Sequence, residues 1–326
     1  MKKKTKNKTI AVTLGDPEGI GPEIIFKSLQ NYTPTGALVI IGERRYYPDK
    51  HIPLVQHIED IRERGVYFYE VEDAVGSEPS FEYVKTGVSF ALKKKAAALI
   101  TAPISKKKWL RAGIKYSGHT GYLAESAGIK DYSMFFWSKD LKVSLFTVHI
   151  PLQEVFEHIK KDKIVAFVRH VNRELLRLFK GAAPPTYLLS GLNPHAGEGG
   201  FLGKEEEEEI LPALEILAGE DKMDITGPFP PDTVFLQARE RKNSVVICWY
   251  HDQGLIPFKL LNIHSGVNVT LGLPYIRTSP DHGTAYDIAG TGRANPSSML
   301  EAIKLADRLT PLAWGGNEPL RGMDSV

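Results

Sequence analysis

A single cysteine, Cys248, stands in a chain of 326 residues, so no intrachain disulfide is possible. That suits a reducing compartment. Cys248 lies inside the apolar run VVICWY and reads as core. Long apolar runs are missing as well. None approaches the ~18 residues of a membrane span, and no apolar segment accompanies the N-terminal lysines as a secretory signal would require. These absences predict a cytoplasmic protein with no membrane partner. Excess charge is lacking too: 41 basic against 39 acidic residues leave +2. With no aromatic-basic repeat either, nucleic acid is not an expected partner. The one basic stretch, Lys2 to Lys8, reads as a solvated, disordered tail. No G-x-G-x-x-G stands between a strand and a helix, and Gly15, Gly19 and Gly21 of GDPEGIGPE have the wrong spacing for a dinucleotide fingerprint or a P-loop.

What remains is an ordinary globular composition, 42% hydrophobic and 25% charged, enough for two domains or one large α/β unit. TIAVTLGD reads as a strand, followed by a helix in GPEIIFKSLQ with Pro22 in its first turn. ALVIIGE and VYFYEV are further strands, and FEYVKTGVSFALKKKAAALITAP is a helix running into a strand. Ile164, Phe167, Val168, Val171, Leu175 and Leu178 fall on one helical face. KEEEEEILPALEILAG is a helix with a solvated acidic first turn that suits the helix dipole. Strands alternating with helices predict a mostly parallel sheet covered on both faces.

Three predicted strands end in a histidine. KVSLFTVHIPL delivers His149, TYLLSGLNPHAGEGG delivers His195, and VVICWYHDQG delivers His251. In open α/β sheets the carboxyl ends of the strands form the ligand crevice. Three neutral imidazoles gathered there would hold a divalent ion and leave positions for substrate. Their separations, 46 and 56 residues, match no local zinc motif. Other polar residues stand at suggestive places. Asp232 in FPPDTVF opens a helix, as an N-cap or as a functional carboxylate. His119 and Thr120 follow Gly118 at a helix start able to hold an anion. Lys259, Asn268 and Arg277 are spaced by nine residues. If they converge, the lysine and arginine suit a phosphate or carboxylate. The Gly-rich block DHGTAYDIAGTGRANPSSML can wrap a flat polar ligand closely.

GDPEGIGPEI, TAPISK, GHT, LNPHAGEGG, PPDTVF, YHDQG, GVNVTLGLPYIRTSPDHGTA and ANPSSML together resemble the 4-hydroxythreonine-4-phosphate dehydrogenase family of vitamin B6 biosynthesis, from about Thr9 to Leu309. The resemblance implies an isocitrate/isopropylmalate dehydrogenase-like α/β fold, two α/β/α domains flanking a cleft. Residues 1–115 with 272–326 would form the cofactor side, and residues 116–271 the substrate, metal and dimerisation side. It implies an enzyme oxidising the C3 hydroxyl of 4-phosphooxy-L-threonine with NAD or NADP, the β-keto acid then losing CO2. It places a divalent metal on His149, His195 and His251; imidazole suits zinc, cobalt, nickel or manganese better than magnesium. Substrate contacts fall on His119, Thr120, Lys259, Asn268 and Arg277, and NAD falls near His282, Gly283, Thr284 and Asn295. Asp232 and Lys259 are the candidate proton acceptors. The resemblance further implies a homodimer whose metal sites are shared, His251 coming from the chain opposite His149 and His195. One position departs: Gly121 follows GHT where the family usually carries an acidic residue. Threonate or erythronate 4-phosphate is therefore the alternative substrate, and a non-enzymatic metal-binding protein the alternative class.

Overall fold

Every residue from Thr9 to Thr13 is buried in the computed structural model, as an apolar run feeding the middle of a sheet must be. The structure describes residues 8–72 and 77–310. Residues 2–7 of the expected basic tail lie outside the described residues. Lys8 departs from that expectation, being 3% exposed and ion-paired with Asp307 at 2.7 Å. A lysine entering a buried strand needs a carboxylate to offset its lost hydration.

Along the chain come β1 (Thr9–Thr13), α1 (Gly21–Gln30), β2 (Ala37–Gly42), β3 (Gly65–Glu70), α2 (Pro79–Leu92) and β4 (Ala98–Thr101). Next are α3 (Lys106–Arg111), α4 (His119–Ser126), β5 (Ser133–Trp137), β6 (Lys142–Leu145), α5 (Leu152–His158) and α6 (Lys161–Leu178). Then follow β7 (Thr186–Ser190), α7 (Leu211–Gly219), β8 (Ile225–Phe229), α8 (Val234–Glu240), β9 (Ser244–Cys248) and α9 (His251–Asn262). The last are β10 (Val267–Leu271), β11 (Ile276–Pro280) and α10 (Ser297–Leu309). A π-helical turn, Glu206–Ile210, leads directly into α7.

Contacts divide the chain into two units, one ending at Tyr132 and resuming at Val267, the other running from Ser133 to Gly266. The boundaries read from the sequence had residues 116–132 and 267–271 in the second unit. They belong to the first for physical reasons. Helix α4 docks on α2 through Tyr122, whose ring centre lies 5.0 Å from that of Phe81, and β10 pairs with β11.

In the first unit the strand order is β3-β2-β1-β4-β11-β10, parallel except for the β10–β11 hairpin. Gly87 of α2 lies against Leu99, Thr13 and Ile41. Thr278, opposite Ile100, donates instead to a carbonyl of α10. Alternation along the strands therefore puts α2 and α10 on opposite faces. The second unit repeats the arrangement, with order β5-β6-β9-β7-β8. Leu188, Val246 and Cys248 pack with Val234, Leu255 and Phe258 of α8 and α9, while Tyr187 donates to Asn172 of α6.

The run VVICWYHDQG resolves into β9 and the first turn of α9. Gln253 is a clamp: its Oε1 accepts from Trp249 N and its Nε2 donates to Gly191 O. Gly254 is required by close packing, since a Cβ there would stand 2.6 Å from Leu145 and 2.7 Å from Val143. Gly254→Ala is expected to lower stability by about 1–3 kcal/mol through overpacking, despite alanine's better helix propensity. A urea unfolding midpoint at or above that of the parent would contradict this packing argument.

Candidate active site

Strand β6 stops at Leu145, four residues before His149, so His149 is not a strand residue. Backbone pairing nevertheless continues past the strand end. Phe146 N donates to Cys248 O, and Thr147 donates to Trp249 O through its N–H and its hydroxyl. This zipper carries the chain after β6 alongside the chain after β9 and brings His149 beside His251. The ring centres are 5.7 Å apart, tilted by 39°, within the reach of two imidazoles on one ion. They border a hollow of about 280 Å³ with Val148, Ile150, Tyr250 and Asp252. Asp252 Oδ1 lies 2.7 Å from His251 Nδ1. A carboxylate on Nδ1–H leaves the Nε2 lone pair for a metal.

His195 is exposed on the loop after β7 and forms no three-ligand set with His149 and His251 among the described residues. His195 and Ala196 both have φ 53°, and Glu198 has φ 45°. Such left-handed backbone is costly for residues with a Cβ and persists only where its surroundings enforce it. Glu206 supplies that enforcement. It is 1% exposed and accepts from Leu192 N, Asn193 N and Asn193 Nδ2, each at 2.8 Å. The acidic run was expected to be a solvated helix start; Glu206 corrects that expectation. Its role rests on partners 13 and 14 residues away, which no helical periodicity announces. Among the described residues no three His, Cys, Asp or Glu side chains gather as a metal set.

Asp232 is exposed in the turn before α8. It is not the N-cap; Thr233 holds that position, with no side-chain cap bond. Lys259 is half-buried on α9, the helix that begins with His251.

In the first unit, Asn268 pairs with Ser279, so alternation puts Asn268, Thr270, Arg277 and Ser279 on one face of the hairpin. Arg277 is 3% exposed. Its guanidinium donates to Thr270 Oγ1 at 3.0 Å and Thr101 Oγ1 at 2.7 Å, and its Nε has no partner among the described residues. Burial pushes its pKa down to about 10. Asn268 Oδ1, Tyr275 Oη and His119 Nε2 are likewise buried without partners among the described residues. His119 and Thr120 open α4 behind Gly118, whose φ is 154°. Burial, then the charges of Arg277 and Lys106, hold His119 well below the usual histidine range. A neutral imidazole and a buried guanidinium with unused polar atoms are the chemistry of an anion site. Gly121 opens space at this helix start, since a Cβ there would meet nothing nearer than Tyr116 at 3.9 Å.

His282, Gly283, Thr284 and Asn295 belong to the irregular segment between β11 and α10. Thr284 O accepts from Ile20 N, and Asn295 Oδ1 accepts from Ser297 N.

Residues 34–306 match the family described as "Pyridoxal phosphate biosynthetic protein PdxA". The chain belongs to the PdxA family. A 4-hydroxythreonine-4-phosphate dehydrogenase of Sulfurihydrogenibium sp. is 44% identical over 91% of this chain and 97% of that one. A D-threonate 4-phosphate dehydrogenase of Pectobacterium atrosepticum is 39% identical over 93% and 99%. The solved 4-hydroxythreonine-4-phosphate dehydrogenase of Klebsiella pneumoniae superposes with TM-score 0.80 at 36% identity, covering 93% of this chain and all of that one. A β-decarboxylating dehydrogenase of Thermococcus kodakarensis shares the fold alone, with TM-score 0.51 at 15% identity over 93% and 82% of the chains. The α/β fold of this chain is thus shared with that β-decarboxylating dehydrogenase. Among the described residues no helix is long and apolar enough to cross a membrane.

Proposed function

We propose that the chain oxidises 4-phosphooxy-L-threonine at C3 with NAD or NADP, giving 2-amino-3-oxo-4-phosphooxybutanoate, which loses CO2 to leave 3-amino-2-oxopropyl phosphate. The observation that carries this reading is a set of buried polar atoms, on Arg277, His119 and Asn268, that have no hydrogen-bond partner among the described residues. Arg277 and the α4 N-terminus with Thr120 bind an anionic group of the substrate, and remote binding energy of this kind orients the reacting carbon. His119 stays uncharged at neutral pH and offers Nε2 as donor or acceptor. Lys259, carried on the same helix as His251, takes the hydroxyl proton in preference to the exposed Asp232.

The donor set near His149 and His251 fits a divalent cation of the zinc, cobalt, nickel or manganese kind. When bound, that cation supplies Lewis-acid stabilisation of negative charge, and the dinucleotide accepts the hydride. The site is completed between two copies of the chain, His195 and His251 serving it from different copies. Two features support this division. The described residues of one chain gather two of the histidines and not the third. Helix α9 and the residue that caps its C-terminus also expose an apolar stripe, Ile256 at 66%, Leu260 at 82% and Ile263 at 51%, of the kind a second copy covers.

The test is NADH absorbance after mixing protein, NAD, a divalent metal and each candidate substrate. 4-Phosphooxy-L-threonine is expected to be turned over faster than threonate or erythronate 4-phosphate. Preference for threonate 4-phosphate would move the chain to the activity named for its Pectobacterium relative, the reading that Gly121 leaves open.

A further inference from the structure

Two blocks of the family resemblance, GDPEGIGPEI and TAPISK, contain no residue to which a metal, substrate or cofactor role has been given. The structure brings them to one point. Pro103 of TAPISK accepts the N–H of Asp16 at 2.8 Å. Gly15, with φ 75°, permits that approach, since a Cβ there would stand 2.5 Å from the Pro103 carbonyl oxygen. The Asp16 carboxylate, with no exposed surface, collects three donors. Its Oδ1 accepts from Lys108 Nζ at 2.8 Å and from Glu18 N at 3.0 Å. Its Oδ2 accepts from the hydroxyl of Tyr286 at 2.5 Å. Lys108 also bonds Glu18 at 2.7 Å, and its Nζ stands 5.3 Å from the centre of the Tyr286 ring.

Tyr286 belongs to the segment of His282, Gly283 and Thr284. That segment is fastened to the first loop and helix at further points. Ile20 N donates to Thr284 O at 2.9 Å. Glu23 accepts from Ala294 N at 3.0 Å. Lys27 donates to Gly292 O at 2.7 Å and Ala294 O at 2.9 Å. The segment has no regular hydrogen-bond ladder, and Tyr286 itself is 47% exposed. Apolar burial therefore does little to define its conformation, and the polar ties must do so.

We propose that Asp16 is a positioning residue for this segment: through Tyr286 it holds residues 282–295 in the conformation that receives a nicotinamide dinucleotide. Asp16 does not itself touch the cofactor. Lys108 holds the buried carboxylate in place, and the pair fixes the tyrosine's hydroxyl. Pre-arranging a loop removes an ordering cost that binding would otherwise bear. The proposal rests on the reading that this segment is the cofactor loop.

NADH fluorescence titration of the purified full-length protein, without substrate, tests it. Tyr286→Phe, which removes only the hydroxyl, is expected to raise the Kd for NADH about tenfold, the effect of one hydrogen bond to a charged group. Asp16→Asn is expected to do the same. Amide exchange over residues 283–294 should quicken in Tyr286→Phe, while its affinity for inorganic phosphate stays unchanged. His282→Ala separates the two ways of failing. If it leaves NADH affinity intact, the cofactor-loop reading falls and this proposal with it. If it weakens NADH while Tyr286→Phe changes neither Kd nor exchange, only the positioning role of Asp16 is overturned. A lower Tm in Tyr286→Phe with an unchanged Kd would also overturn it. Should Asp16→Asn fail to fold, Tyr286→Phe carries the test alone.

Discussion

Arg277→Met is expected to lower kcat/KM for the phosphorylated substrate about a hundredfold or more, while the protein unfolds at the same urea concentration as its parent or a higher one. The two halves of this result have one cause. Arg277 is buried, bonded to two threonine hydroxyls, and has an Nε without a partner among the described residues. A buried guanidinium held by neutral groups costs stability, so an apolar side chain of similar length does not weaken the fold. The ligand loses more than the fold does. Hydrogen bonds from a charged donor contribute roughly 1.5–3 kcal/mol each, and every 1.4 kcal/mol is about tenfold. The loss should appear mainly in KM for the substrate, with NAD affinity little changed. Equal weakening of both would place Arg277 in the cofactor site or the scaffold.

The second large effect concerns the histidines. His195→Ala and His251→Ala homodimers are each expected to be almost inactive and to bind less metal, with unchanged circular dichroism. Denatured together and refolded, the two variants should recover roughly a quarter of parent activity. About half of randomly reassorted dimers are mixed, and in a symmetric dimer each of those has one whole site of two. Verified mixed dimers without activity would mean that His195 and His251 serve the same chain's site. A second pair, His149→Ala with His251→Ala, identifies the copy His149 serves. Recovery puts it with His195, as the family resemblance implies. No recovery puts it with His251, as their 5.7 Å ring separation in one chain favours.

Much of the fold was legible because its signals are local. The helix read from GPEIIFKSLQ is α1 from Gly21 to Gln30, and ALVIIG is β2. The stripe Ile164–Leu178 faces inward on α6, with Phe167 half-buried against Phe146 at 5.2 Å. The strand ends pointed to His149, His195 and His251; His149 comes beside His251 because, although β6 ends early, the zipper of residues 146–147 on 248–249 supplies the missing register. The rest depends on distant partners. Glu206 looked like one of five solvated glutamates because its donors lie on another loop. Asp16 meets Lys108 across 92 positions and Tyr286 across 270. No periodicity encodes such pairs. The unit boundary was missed for the same reason, since aromatic packing of Tyr122 on Phe81 decides it.

The most direct measurement uses 4-phosphooxy-L-threonine labelled in its carboxyl group, following NADH and released CO2 together. The account predicts one labelled CO2 for each NADH. It also predicts that both fall together in Arg277→Met and in His195→Ala. NADH without labelled CO2, or neither product with metal and NAD present, would contradict it.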